Sequence, residues 1–115
     1  MNMQMDEAPE GLILLYSTWP DGAAAEAAAR ALLEERLIAC ANIMPAGRSV
    51  FRWEGKVTAE AETVALFKTT RARAGDARTR LVDLHPYDEP CVLALPVDTA
   101  ASAAGFLAWV ARETA

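Results

Sequence analysis

The sequence predicts an α+β fold with elements in the order β-α-β-β-α-β and a trailing helix. Three observations carry this. Apolar runs at Leu12–Tyr16 and Cys91–Pro96 are short and unbroken, as suits strands buried within a sheet. Two Ala- and Leu-bearing stretches repeat their apolar residues at helical spacing. Between them lie two long strand-like segments joined by the turn signal Glu54-Gly55-Lys56.

The first strand follows Gly11 and is broken by Thr18-Trp19-Pro20-Asp21-Gly22, where Asp21 can cap a helix from Gly22 to about Leu37. Ala25, Ala28, Ala29 and Leu32 share one face of that helix, a small-residue face suited to close packing on a sheet. The second strand begins at Ile38 or Ala39, is interrupted at Pro45-Ala46-Gly47 and resumes at Arg48. Pro removes a ladder donor there, and Gly permits a bulge. The return strand runs from Val57 to about Thr70, with Val64 and Leu66 facing one way and Ala65 and Phe67 the other. A second helix covers about Arg73 to Leu84, ended by His85 standing before Pro86. Ser102 can cap the last helix, with Phe106, Leu107 and Val110 on its core face.

Two right-handed crossovers in this order put both main helices on one face of an antiparallel four-stranded sheet, the ferredoxin-like arrangement. The other face needs cover from the trailing helix or from neighbouring subunits. The central hairpin is longer than a domain of 115 residues needs for its own sheet, and its far end carries Val50, Phe51 and Trp53. An apolar overhang of this kind implies a partner surface, most simply another copy of the chain.

Composition narrows the function. The formal charge is −5, the pI is near 4.8, and no basic cluster exists, which argues against nucleic acid or an anionic membrane as partner. Residues 1–11 form a polar, Met-rich tail without signal-peptide character, and residues 12–115 form one domain. Cys40 and Cys91 have no CxxC spacing, so neither a disulfide nor a single-chain metal cluster is expected, and a reduced, cytoplasmic protein is.

Several residues have two readings each. Cys40 and Cys91 sit in apolar strands, as small buried hydrophobes or as thiolate ligands. His85 lies in a polar turn with Tyr87, Asp88 and Glu89. It can fasten that turn or, with carboxylates and Cys40, bind zinc or copper. Lys68 stands in an apolar strand and calls for a carboxylate such as Glu54, Glu62 or Glu89. It can equally line an anion or small-molecule pocket with Tyr87. Trp53 and Phe51 are interface anchors or the wall of that pocket. No nucleophile with an adjacent base and no phosphate loop is evident, so no catalytic residue is assigned.

Four segments together resemble the CutA divalent-cation-tolerance proteins: Leu37–Pro45 (LIACANIMP), Ser49–Lys56 (SVFRWEGK), Val64–Thr70 (VALFKTT) and Leu84–Pro96 (LHPYDEPCVLALP). The late Phe106-Leu107-Ala108-Trp109 also fits, and the likeness extends over about residues 12 to 112. It implies a trimer built through long hairpins, an architecture like that of PII signalling proteins, and a role in tolerance of copper and other divalent metals. It implies no enzymatic reaction. Some family members carry Cys in the first strand, a second His before the Pro-Tyr pair, and an acidic residue after the second Pro. Here those positions hold Ser17, Leu84 and Cys91, so a copper site of that design is depleted. The expected function is a cytoplasmic homotrimer of divalent metal tolerance. It binds copper or zinc through His85, Cys40 and Glu89, with no metal required for folding. The alternative is a PII-like sensor holding a small molecule in clefts between subunits near Lys68, Tyr87 and Trp53.

Overall fold

The computed structural model describes residues 11–115; the expected N-terminal tail lies, but for Gly11, outside the described residues. The elements are β1 (Leu12–Trp19), α1 (Gly22–Glu34), β2 (Cys40–Trp53), β3 (Lys56–Thr70), α2 (Arg71–Leu84), β4 (Val92–Val97) and α3 (Ala104–Glu113). The strands form one antiparallel sheet in the order β2-β3-β1-β4. Strand β3 is thus inserted between β1 and β2, and β1 between β3 and β4, the ferredoxin-like pattern.

Local chemistry sets the boundaries. The Asp21 carboxylate accepts from the Ala24 amide at 2.8 Å and starts α1. That helix stops before Leu37 because Arg36 turns into the left-handed region (φ 58). The amides of Leu37 and Arg36 then return to the carbonyls of Leu32 and Leu33, which are left without partners in the last turn. β1 runs on to Trp19, past its expected end, because Thr18 and Trp19 pair with Val64 and Thr63. α2 begins two residues before the expected Arg73, since the Thr70 hydroxyl accepts from the Arg73 amide. Ser102 does not cap α3: its hydroxyl donates to the Asp98 carbonyl within the preceding turn, and α3 starts after Ala103 with no side-chain cap.

The main core lies between the sheet and the pair α1/α2. Ile13, Leu15 and Trp19 of β1 and Ala65 and Phe67 of β3 meet Ala25, Ala28, Ala29 and Leu32 of α1 and Ala77 and Leu81 of α2. The alanine face lets α1 lie close to the sheet, which the large Trp19 and Phe67 rings then fill (ring centroids 6.3 Å apart). On the opposite face α3 covers one end, packing Leu107 and Val110 on Leu12 and Ala39. The rest of that face is open, and Met44, Leu93, Leu95 and Phe106 are exposed on it or at its margin. Cys91, expected to be buried, is exposed as well, since it precedes an edge strand.

The hairpin projects from this body. β3 pairs with β1 only from Thr63 to Thr70, whereas its β2 pairing continues outward to Lys56. The molecule is 58 Å long and 27 by 21 Å across, with a radius of gyration of 15.6 Å against about 13 Å for a compact domain of this length. The ladder shifts register between Met44 and Gly47, with Ala46 at φ 70. This is the bulge expected at Pro45-Ala46-Gly47.

Gly47 is required there, because a Cβ at that position would stand 2.6 Å from the Glu62 carbonyl oxygen. That atom is backbone on the partner strand and cannot yield cheaply. Gly47→Ala is expected to cost about 1–3 kcal/mol, the scale of an overpacked site, read as a lowered midpoint in chemical denaturation with unchanged slope.

Candidate functional site

The junction between body and hairpin holds a connected polar network. His85, expelled from α2 by Pro86, is buried there. Its Nδ1 accepts from the Tyr87 amide at 3.1 Å, which leaves Nε2 to carry the proton and donate to the Thr18 carbonyl at 2.8 Å. The ring stacks on Trp19 (centroids 4.0 Å apart, planes at 27°) and also meets the Tyr87 ring, tilted, at 4.8 Å. His85 therefore fastens the turn after α2 to the end of β1. It has no free lone pair for a metal while those bonds hold.

Tyr87 passes the connection on to the hairpin. Its hydroxyl donates to Glu62 Oε2 at 2.9 Å, and the Ser49 hydroxyl donates to Glu62 Oε1 at 2.6 Å. One carboxylate thus joins β2, β3 and the turn. Burial, with the Glu62 carboxylate beside it, pushes the Tyr87 phenol up to about 12 from its ordinary 10. Burial and Glu62 also push the Cys91 thiol up.

The expected ligands Cys40, His85 and Glu89 do not converge within one chain. Cys40 is paired with Lys68 on β3, while His85 binds Thr18, whose β3 partner is Val64. That separation is roughly 13 Å along the strand alone. Among the described residues no group of three or more His, Cys, Asp or Glu side chains is placed to hold a metal ion. Ser17 is fully buried and accepts from the Trp19 indole at 2.6 Å. The donor set among the described residues of one chain does not fit a resident metal.

The expected pocket residues are partly brought together. Trp53 and Tyr87 line one groove of about 420 Å³ with Phe51, Thr58, Glu60, Asp88 and Glu89. Lys68 is not among them. It is half-buried on the open sheet face, its Nζ 5.3 Å from the centre of the Phe106 ring. Among the described residues the ion pairs are Arg30–Glu26 and Arg80–Glu35, so the carboxylate partner expected for Lys68 is replaced by an aromatic face. None of Glu60, Glu62 and Asp88 is expected in a pocket from the residues alone: Glu62 is a possible partner of Lys68 there, and Asp88 a turn neighbour of His85. The cross-strand pairing of Glu60 with Ser49 beside Phe51 would have pointed to the first of them.

Two outcomes follow from this geometry. Because the folded state holds the Tyr87 proton more tightly than the unfolded chain, its contribution to stability is complete below about pH 10 and is lost as pH rises toward about 12. Ultraviolet difference titration of the wild type against Tyr87→Phe should place the Tyr87 phenolate near pH 12, and an ordinary value near 10 would contradict the Glu62 contact. His85→Ala should cost about 2–4 kcal/mol in denaturant, because it opens a cavity beside Trp19 and strands the Thr18 carbonyl and Tyr87 amide. A change within about 0.5 kcal/mol would show that His85 does not hold the turn.

Comparison with known proteins agrees with the fold. The family profile described as CutA1 divalent ion tolerance protein matches residues 13–113. The divalent-cation tolerance protein CutA of Pyrococcus horikoshii is 38% identical over 103 residues, 90% of this chain and 98% of that protein. The protein of the same name from Thermus thermophilus is 39% identical over 97 residues, 84% of this chain and 92% of its own. Among solved structures, CutA1 of Oryza sativa superposes with a TM-score of 0.87 at 33% identity, covering 93% of this chain and 96% of that one. CutA of Xylella fastidiosa does so with a TM-score of 0.86 at 36% identity, covering 90% and 98%. With the match running from β1 to the end of α3, the chain belongs to the CutA1 divalent ion tolerance family.

Proposed function

We propose that this chain acts as a non-catalytic, cytoplasmic homotrimer in tolerance of divalent metals, copper foremost. The observation that carries the reading is the family match across residues 13–113. The family is described by tolerance and not by a reaction, which supports a role without catalysis.

Assembly is supported by the apolar surface the monomer leaves in water. Val50 and Val57 are 68% and 70% exposed on the hairpin, and Leu93 is 58% exposed on edge strand β4. A two-stranded ribbon gains little stability alone, so the overhang calls for cover. Two unpaired thiols, one of them exposed, suit a reducing compartment. Direct copper or zinc binding is the finer part of the reading. With His85 engaged in the turn, it depends on Cys40 and Glu89 being supplied from different copies, and it is weak.

Light scattering at micromolar concentration should give three times the chain mass of 12.4 kDa. Val57→Asp, which places a carboxylate in the covered surface, should dissociate the trimer or unfold it. A monodisperse wild-type monomer would refute assembly. Calorimetric titration with Cu(II) should give weak heats that fall in a Cys40→Ser/Glu89→Gln variant. Tight binding unchanged in that variant would remove both residues from any metal site.

A second reading is a small-molecule sensor of PII-like architecture. It is favoured by one observation, the convergence of Trp53, Tyr87 and Glu89 on a single groove.

A further inference from the structure

We infer that the groove between the hairpin and the turn after α2 receives an organic cation, an ammonium or guanidinium group carried on a short carbon chain. The inference rests on the second reading above and names the ligand's chemistry.

Two independent sets of residues make the site. The hairpin contributes the Phe51 and Trp53 rings, on the face that also carries Thr58, across the ladder from Phe51, and Glu60, across from Ser49; Lys56 stands across from Trp53 at the tip and is not among the groove's lining residues. The turn contributes Tyr87, Asp88 and Glu89. The result is three aromatic rings and three carboxylates around a groove of about 420 Å³, with no Lys or Arg among its lining residues. That volume lies within the range of small-molecule sites, about 300–1,000 Å³. Trp53 is 64% exposed and belongs to neither core cluster, so packing within the chain does not explain it.

The chemistry of the walls selects the occupant. Aromatic faces are electron-rich and attract cations, and carboxylates form charge-assisted hydrogen bonds with N–H donors. The Tyr87 hydroxyl is committed to Glu62, so Tyr87 offers the groove its ring and not a donor. An anion would meet three like charges. An inorganic divalent ion would need several oxygens gathered at one point, and these carboxylates form no such group with one another. A flexible organic cation can spread its charge over separated carboxylates while its carbon chain lies on the rings. Val50 and Val57, proposed above as covered by a second copy, stand on the opposite side of the ribbon from Phe51 and Trp53, because alternate strand residues face opposite ways.

The test is calorimetric titration of the assembled protein with agmatine, a short carbon chain bearing an ammonium at one end and a guanidinium at the other, and separately with adenosine, a neutral ring able to stack on Trp53. Two variants accompany the wild type, Asp88→Asn/Glu89→Gln and Trp53→Ala. The first alters only exposed turn residues and so keeps the test valid if the second fails to assemble. The expected result is saturable agmatine binding that weakens with salt and falls about tenfold or more in each folded variant, the scale of losing one cation–π or charge-assisted contact. Absence of agmatine binding, or binding undiminished in Asp88→Asn/Glu89→Gln, overturns the inference. If adenosine binds in a Trp53-dependent way while agmatine does not, the cation assignment fails and the small-molecule reading stands. If neither binds, both fail.

Discussion

The structure depends on β3 being a single continuous strand that serves two settings. Its inner half, from Thr63 to Thr70, lies between β1 and β2 in a sheet covered by helices. Its outer half has β2 alone as a neighbour and no helix above it. The inner half gains stability from burial of Ala65 and Phe67, which are fully enclosed. The outer half has no comparable source within the chain. Everything distinctive about the molecule follows from joining these two halves: the length of 58 Å, the bulge at Met44–Gly47, and the exposed aromatic and branched residues near the tip.

The joint is made by a relay of side chains more than by packing area. Trp19 anchors His85 by stacking, His85 holds the Tyr87 amide, and Tyr87 holds Glu62, which also takes the Ser49 hydroxyl. Each polar group in the relay has a partner, so partial burial costs little. The same relay explains why the His85 ring is unsuited to coordination. A residue that looks like a ligand by type is spent on geometry. The groove lies beside this joint, so the relay that braces the hairpin also sets the position of the groove's Tyr87 wall.

Family membership and site geometry speak to different levels of function. The match over residues 13–113 places the chain among divalent ion tolerance proteins. The single chain gathers no metal cage among its described residues, and the groove between hairpin and turn is lined with aromatic rings and separated carboxylates. Tolerance of an ion is compatible with either direct binding across copies or a response to an organic ligand. These predict different ligands for residues that are neighbours in the fold.

The order of elements, the Asp21 cap, the Pro45–Gly47 bulge and the overlong hairpin were legible in the residues alone, because periodicity, capping and turn chemistry are local. The resemblance of its motifs to a family was legible for the same reason, since each is a short contiguous run. What only the tertiary structure decided was partnership. His85 could be read as ligand or fastener until Thr18, 67 residues away in sequence, was seen to accept from its ring. Lys68 called for a carboxylate until Phe106 of α3 proved to lie beneath it. Cys91 read as buried because its neighbours are apolar, but burial depends on what covers a strand, and β4 is an edge. Glu60 and Asp88 did not stand out as pocket residues because exposed carboxylates are common along any chain. They become a feature when folding brings a hairpin and a distant turn to opposite walls of one groove.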